Sequence, residues 1–136
     1  MFYFSLILII ICIFMSIRSL FLPNSLQGKN ISIENFIYLS FIYFTVMCGF
    51  GLIYVLLDSH QIPVLEAGTF KNGMSFLERL ETTIYFSAIT LFSVGFGDIA
   101  PIGIGRIIAV FEALIGYTIP AAFVYRAVTS FKNVED

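Results

Sequence analysis

Three stretches of the chain, Phe2–Leu22, Phe36–Leu57 and Ile102 to about Ser130, are apolar for long enough to cross a lipid bilayer. In hydrocarbon every backbone N–H and C=O must find its partner inside the protein, so such runs fold as helices. That constraint removes most architectures at once. Composition agrees, since 59% of the 136 residues are hydrophobic and the mean hydropathy is +0.96. These are the values of an integral membrane protein, not of a soluble domain. The net charge of −2 gives no electrostatic case for nucleic acid. Cys12 and Cys48 both fall inside apolar runs, so no disulfide is expected. No internal repeat is visible, and a single membrane domain is expected.

The run Thr90–Pro101, TLFSVGFGDIAP, does not read as a plain span. Gly95 and Gly97 stand one residue apart, followed by a lone carboxylate, Asp98, and then by Pro101. Glycine reaches positive φ without the steric cost borne by other L-residues. A strand alternating glycine with bulky residues can alternate its backbone twist. Successive C=O groups then point the same way while Val94 and Phe96 turn into the protein wall. Such a column of oxygens suits a dehydrated cation, whose exposure to bare hydrocarbon costs on the order of tens of kcal/mol. Reading Gly95 and Gly97 as small residues at a helix contact leaves Asp98 and the surrounding pattern unexplained.

SVGFGD resembles the selectivity filter of potassium channels, whose usual form is TVGYGD. Upstream, Tyr85, Phe86, Ser87, Thr90 and Leu91 in YFSAITL are similar to the YFS-x-x-TL that precedes such filters. Downstream, Pro101, Gly105, Arg106 and Gly116 resemble the family's proline, Gly-Arg pair and inner-helix hinge glycine. The resemblance covers roughly residues 36 to 131. It implies an all-α membrane protein with three transmembrane helices, a re-entrant pore helix and a filter loop, assembling as a four-fold symmetric channel. It implies K+ as the permeant ion, held by the carbonyls of Ser93, Val94, Gly95 and Phe96 and by the Ser93 hydroxyl, with Gly97 completing the strand. One chain supplies one filter strand, so three further copies are the expected partners.

In chain order, residues 1–35 hold an additional N-terminal span and its connector. Residues 36–136 form the pore domain: outer helix 36–57, turret 58–74, pore helix 75–92, filter 93–98 and inner helix 102–130. The first span is expected to be retained, because no basic residue precedes it and no small-x-small cleavage site follows. The simplest family members lack it. Gly49 and Gly51 suggest close packing of the outer helix. His60 is either an ordinary solvated side chain or a pH-sensitive turret group. Ser75 and Glu78 form a capping-box pattern at the start of the pore helix, whose other end aims partial negative charge toward the pore. With the filter opening outside, Met1 faces out, Arg18, Lys29, Arg126 and Lys132 lie inside, and Lys71, Arg79 and Arg106 lie outside. The sequon at Asn30–Ser32 is therefore discounted. The charge bias itself is slight.

Three departures from the family pattern bear on mechanism. Ser93 replaces the usual threonine, keeping the hydroxyl and losing the β-branch. Phe96 replaces tyrosine, filling the wall without a phenolic hydrogen bond. Ile89 stands where some members place an acid that pairs with the carboxylate matching Asp98. Helical phase makes Tyr85 the donor expected to bond Asp98 instead.

Glu112 is an ionisable group within a span and has two readings. It faces the cavity and attracts cations, or it packs behind the filter, protonated or bonded to the re-entrant helix; the second is favoured. Pro120 lacks an N–H, which frees the Gly116 carbonyl, and Gly116 adds backbone freedom at the same turn. The pair is a moving gate hinge or a fixed kink, with Val124, Tyr125 and Val128 as constriction candidates. The expected function is a potassium-selective channel in the cell membrane. A non-selective cation channel and a non-conducting assembly partner are the alternatives. No cofactor and no enzyme constellation are expected, and Arg18 alone does not make a voltage sensor.

Overall fold

The structure is a computed structural model and describes residues 1–21, 33–66 and 73–132, without the side chains of residues 20–21, 33–35 and 126–132. The sequon, Lys29 and Lys71 fall outside the described residues. Four helices follow in order: α1 (Phe2–Phe21), α2 (Ile33–Ser59), α3 (Phe76–Leu91) and α4 (Ile104–Lys132). Among the described residues there is no strand, only the isolated bridge between Leu65 and Pro101. The fold is all-α, as expected. Helices α1, α2 and α4 are each long and apolar enough to cross a membrane. With 16 residues, α3 reaches about 24 Å, short of a ~30 Å hydrocarbon core.

Helix α2 is the centre of the fold. Val46, Tyr54 and Val55 on it are fully buried. Its two glycines admit different neighbours. A Cβ on Gly49 would come within 2.6 Å of Ile13 Cγ1 on α1, and one on Gly51 within 2.8 Å of Ile84 Cγ1 on α3. Residues two apart on a helix face nearly opposite ways, so this pair lets α1 and α3 approach α2 from two sides. Helices α1 and α2 run antiparallel. The Phe2 ring lies 3.9 Å from that of His60 at one end, and the Ser19 and Tyr38 hydroxyls meet at the other. His60 Nδ1 also lies 2.9 Å from Leu56 O, so the ring helps to dock α1.

Several boundaries differ from the sequence reading by a few residues, and two of the differences have a visible cause. The polar segment expected from Asp58 begins later, because α2 continues through Asp58 and Ser59. Asp58 is held there by an ion pair with Arg79 at 2.9 Å, and the Ser59 hydroxyl donates to Val55 O at 2.7 Å. The chain turns only at Gln61, with φ 58°. The last helix begins at Ile104, not Ile102, because Gly103 sits at φ 50°, outside the right-handed helical region, while the Ile102 N–H bonds Val64 O at 2.9 Å.

Helix α3 begins as its sequence specifies. The Glu78 N–H donates to Ser75 Oγ at 3.3 Å, and the Ser75 N–H donates to Glu78 Oε2 at 2.7 Å. That reciprocal pair satisfies two helix-end donors. The Ser75 N–H holds the Glu78 carboxyl below the usual carboxylate range.

Candidate functional site

The site is built on the C-terminal end of α3. Phe92 caps the helix, and the following amides fold back onto its last turn: Ser93 N–H to Thr90 O at 3.0 Å, and Val94 and Gly95 N–H to Ile89 O at 2.9 and 3.1 Å. Beyond this point φ changes sign at every residue. Ser93, Gly95 and Gly97 are positive at 57°, 55° and 78°, while Val94 and Phe96 are not. The alternation expected from two glycines therefore has a third member, Ser93. A left-handed conformation costs an L-residue roughly 1–2 kcal/mol, and β-branched residues tolerate it least. Serine meets that demand at lower cost than a β-branched threonine would.

The side chains of Val94 and Phe96 are 52% and 71% exposed in the single chain. Their own chain therefore does not supply the wall they were expected to enter. Beside the strand lies an open cleft of about 340 Å³, lined by Phe86, Ile89 and Thr90 of α3, by Ser93, Gly95 and Gly97, and by Ala109, Ala113 and Tyr117 of α4.

Behind the strand the expected polar contact is present: Tyr85 Oη donates to Asp98 Oδ2 at 2.8 Å. Accepting that proton, Asp98 holds the phenol above its usual range. Ile89 is buried and apolar, so it leaves Asp98 to Tyr85. Past Asp98 the chain is tied to the segment after α2. The Glu66 N–H donates to Ala100 O at 2.9 Å, and Arg106 Nε donates to Pro101 O at 3.1 Å. A Cβ on Gly105 would lie 2.1 Å from Val64 O, so only glycine lets α4 start this close to that segment.

Glu112 is fully buried. Tyr54 Oη on α2 donates to its Oε2 at 2.9 Å, and its Oε1 meets Ser87 Oγ on α3. Ser87 Oγ also donates to Met47 O at 2.9 Å. A hydroxyl has one proton to give. Ser87 therefore shares its hydroxyl between the Glu112 carboxyl and the Met47 carbonyl. This knot joins α2, α3 and α4 and bonds Glu112 to the short helix that precedes the strand.

One turn further on, Gly116 lies against the end of α3, where a Cβ would come within 2.0 Å of Leu91 O. Its own carbonyl, freed by Pro120, accepts from Tyr43 Oη at 2.8 Å. Val124 and Tyr125 are exposed at 59% and 72%, and the side chain of Val128 lies outside the described residues.

Sequence reasoning missed Tyr43, Tyr54 and the part taken by Ser87. A signal was available. Tyr43 and Tyr54 are about three turns apart and so share one face of α2, and a repeated phenol in an apolar span implies buried acceptors.

No solved structure matches the chain. Among curated proteins it is 38% identical over 113 residues to Protein LctB of Geobacillus stearothermophilus, covering 83% of this chain and 84% of that one. The match to Protein LctB of Bacillus caldotenax has the same identity and coverage. A family model described as ion channel matches residues 42–133. That region takes in α3, the strand after it and α4, and this chain belongs to the ion channel family.

Proposed function

We propose that this ion channel is selective for potassium and conducts as a homotetramer in the cell membrane. The observation that carries the reading is the sign alternation of φ from Ser93 to Gly97. It supports successive carbonyls of Ser93, Val94, Gly95 and Phe96 facing one axis, with the Ser93 hydroxyl as the innermost oxygen. Oxygens so placed replace the water of a potassium ion.

One strand covers one side of an ion. The exposed side chains of Phe96 and Val94 lack an apolar wall, and the cleft between α3 and α4 offers one to a neighbouring copy. Ile107, Val110, Phe111, Leu114 and Tyr117 are also exposed at helical spacing along α4, a stripe long enough to meet both a neighbour and the pore. In this assembly the last turn of α3 points its partial negative charge toward the axis. The bend at Gly116 and Pro120 is the point about which the lower half of α4 moves, carrying Val124, Tyr125 and Val128 at the constriction.

Purified protein in vesicles tests this directly. A tetrameric mass in native mass spectrometry, with uptake of potassium and exclusion of sodium, is expected. Uptake of both ions would reduce the reading to a non-selective cation channel, and uptake of neither to a non-conducting assembly partner.

A further inference from the structure

We infer that Tyr43 is a positioning residue that latches the bend of α4 to the first residue of the filter strand. Two contacts meet at this side chain, and a third joins the two segments it touches. Its hydroxyl donates to Gly116 O at 2.8 Å, the carbonyl that Pro120 deprives of its helical donor. Its ring stacks on Phe92 with centroids 5.2 Å apart and planes 14° apart, and Phe92 immediately precedes Ser93. Gly116 itself is packed so closely on Leu91 that a Cβ would meet the carbonyl oxygen at 2.0 Å.

The bend, the end of α3 and the start of the strand are therefore one contact set, with α2 as its fixed side. A buried carbonyl in a membrane finds no water to replace a lost donor. Moving α4 at Gly116 must either break the Tyr43 bond or drag the Phe92 stack with it. The latch therefore transmits the position of α4 to Ser93. This inference rests on the reading that α4 moves to gate conduction, but the bond itself can be read without any current.

The chain contains a single Gly–Tyr step, Gly116–Tyr117. Glycine labelled with 13C at the carbonyl and tyrosine labelled with 15N therefore report Gly116 alone in solid-state NMR. Tyr43→Phe keeps the ring and removes the hydroxyl. It is expected to move the Gly116 carbonyl resonance upfield and to shift the open-to-closed ratio in planar bilayers by roughly three- to tenfold. Pro120→Ala returns an N–H to the helix, so adding Tyr43→Phe in that background is expected to change neither quantity.

An unchanged carbonyl resonance in Tyr43→Phe overturns the latch. So does an equal effect of Tyr43→Phe with Pro120 present or replaced. A moved resonance with an unchanged open-to-closed ratio overturns the coupling to gating. If the protein passes no ion at all, the gating reading fails while the carbonyl signal still decides whether the bond holds the bend.

Discussion

Gly116→Ala puts the packing of α4 to its most severe test. The added Cβ would sit 2.0 Å from Leu91 O and 2.9 Å from Leu91 C. Both are backbone atoms that no rotamer change can clear. The helices must separate by more than about 1 Å to regain ordinary contact, and overpacking of this kind costs about 1–3 kcal/mol. Alanine's better helix propensity offsets at most about 1 kcal/mol. With a backbone overlap this deep the cost lies at the upper end of that range, and a net loss of about 2 kcal/mol per chain follows, concentrated two residues before Ser93.

Gly49→Ala is the control. Its Cβ would crowd Ile13 Cγ1 and Cδ1, at 2.6 and 2.8 Å, and touch Ile9 Cγ2 at 3.8 Å, all of them side-chain atoms and none of them backbone. There the packing cost falls at the low end of the same range, about 1 kcal/mol, and a propensity gain of up to about 1 kcal/mol nearly cancels it. Thermal unfolding in detergent, followed by circular dichroism, should show Gly116→Ala melting well below the parent and Gly49→Ala close to it. Potassium uptake by vesicles should fall only for Gly116→Ala. Equal melting and uptake for Gly116→Ala and the parent would refute the packing argument, as would equal damage at the two positions.

Glu112→Gln keeps an acceptor for Tyr54 and supplies a donor to Ser87, so conductance and blocker sensitivity should stay at the parent's values in single-channel recordings; a large loss of conductance would place the carboxyl in the cavity instead. Glu112→Ala strands the Tyr54 hydroxyl, at about 1–3 kcal/mol when buried without a partner, while Ser87 keeps its bond to Met47 O; the variant should melt lower than Glu112→Gln. Tyr85→Phe removes the bond to Asp98. Because Tyr85 is 38% exposed, the stability change should stay under about 1.5 kcal/mol while current decay during sustained opening quickens; an unchanged decay rate would leave that bond without a role in holding the strand.

The parts legible in the sequence are those governed by local rules. Span lengths, the Ser75–Glu78 box, the glycine-set alternation and the phase of Tyr85 toward Asp98 each depend on residues near one another in the chain. The parts that were not legible depend on which faces meet. Nothing local says that Tyr54 and Ser87 converge on Glu112, or that Tyr43 supplies the donor Pro120 removes. Gly105 is similar to the family's glycine by position, yet its physical reason, the Val64 carbonyl, lies some 40 residues back in sequence. The left-handed φ at Ser93 was also out of reach, because glycine alone advertises that conformation. The extension of α2 to Ser59 depended on Arg79 for the same reason: its partner is on another helix.

The reversal potential of single channels in a planar bilayer, with potassium on one side and sodium on the other, bears most directly on the central claim. A strand whose carbonyls stand in for the water of potassium predicts a reversal far from zero, on the side set by the potassium gradient. A reversal near zero, with both ions carrying current alike, would contradict it.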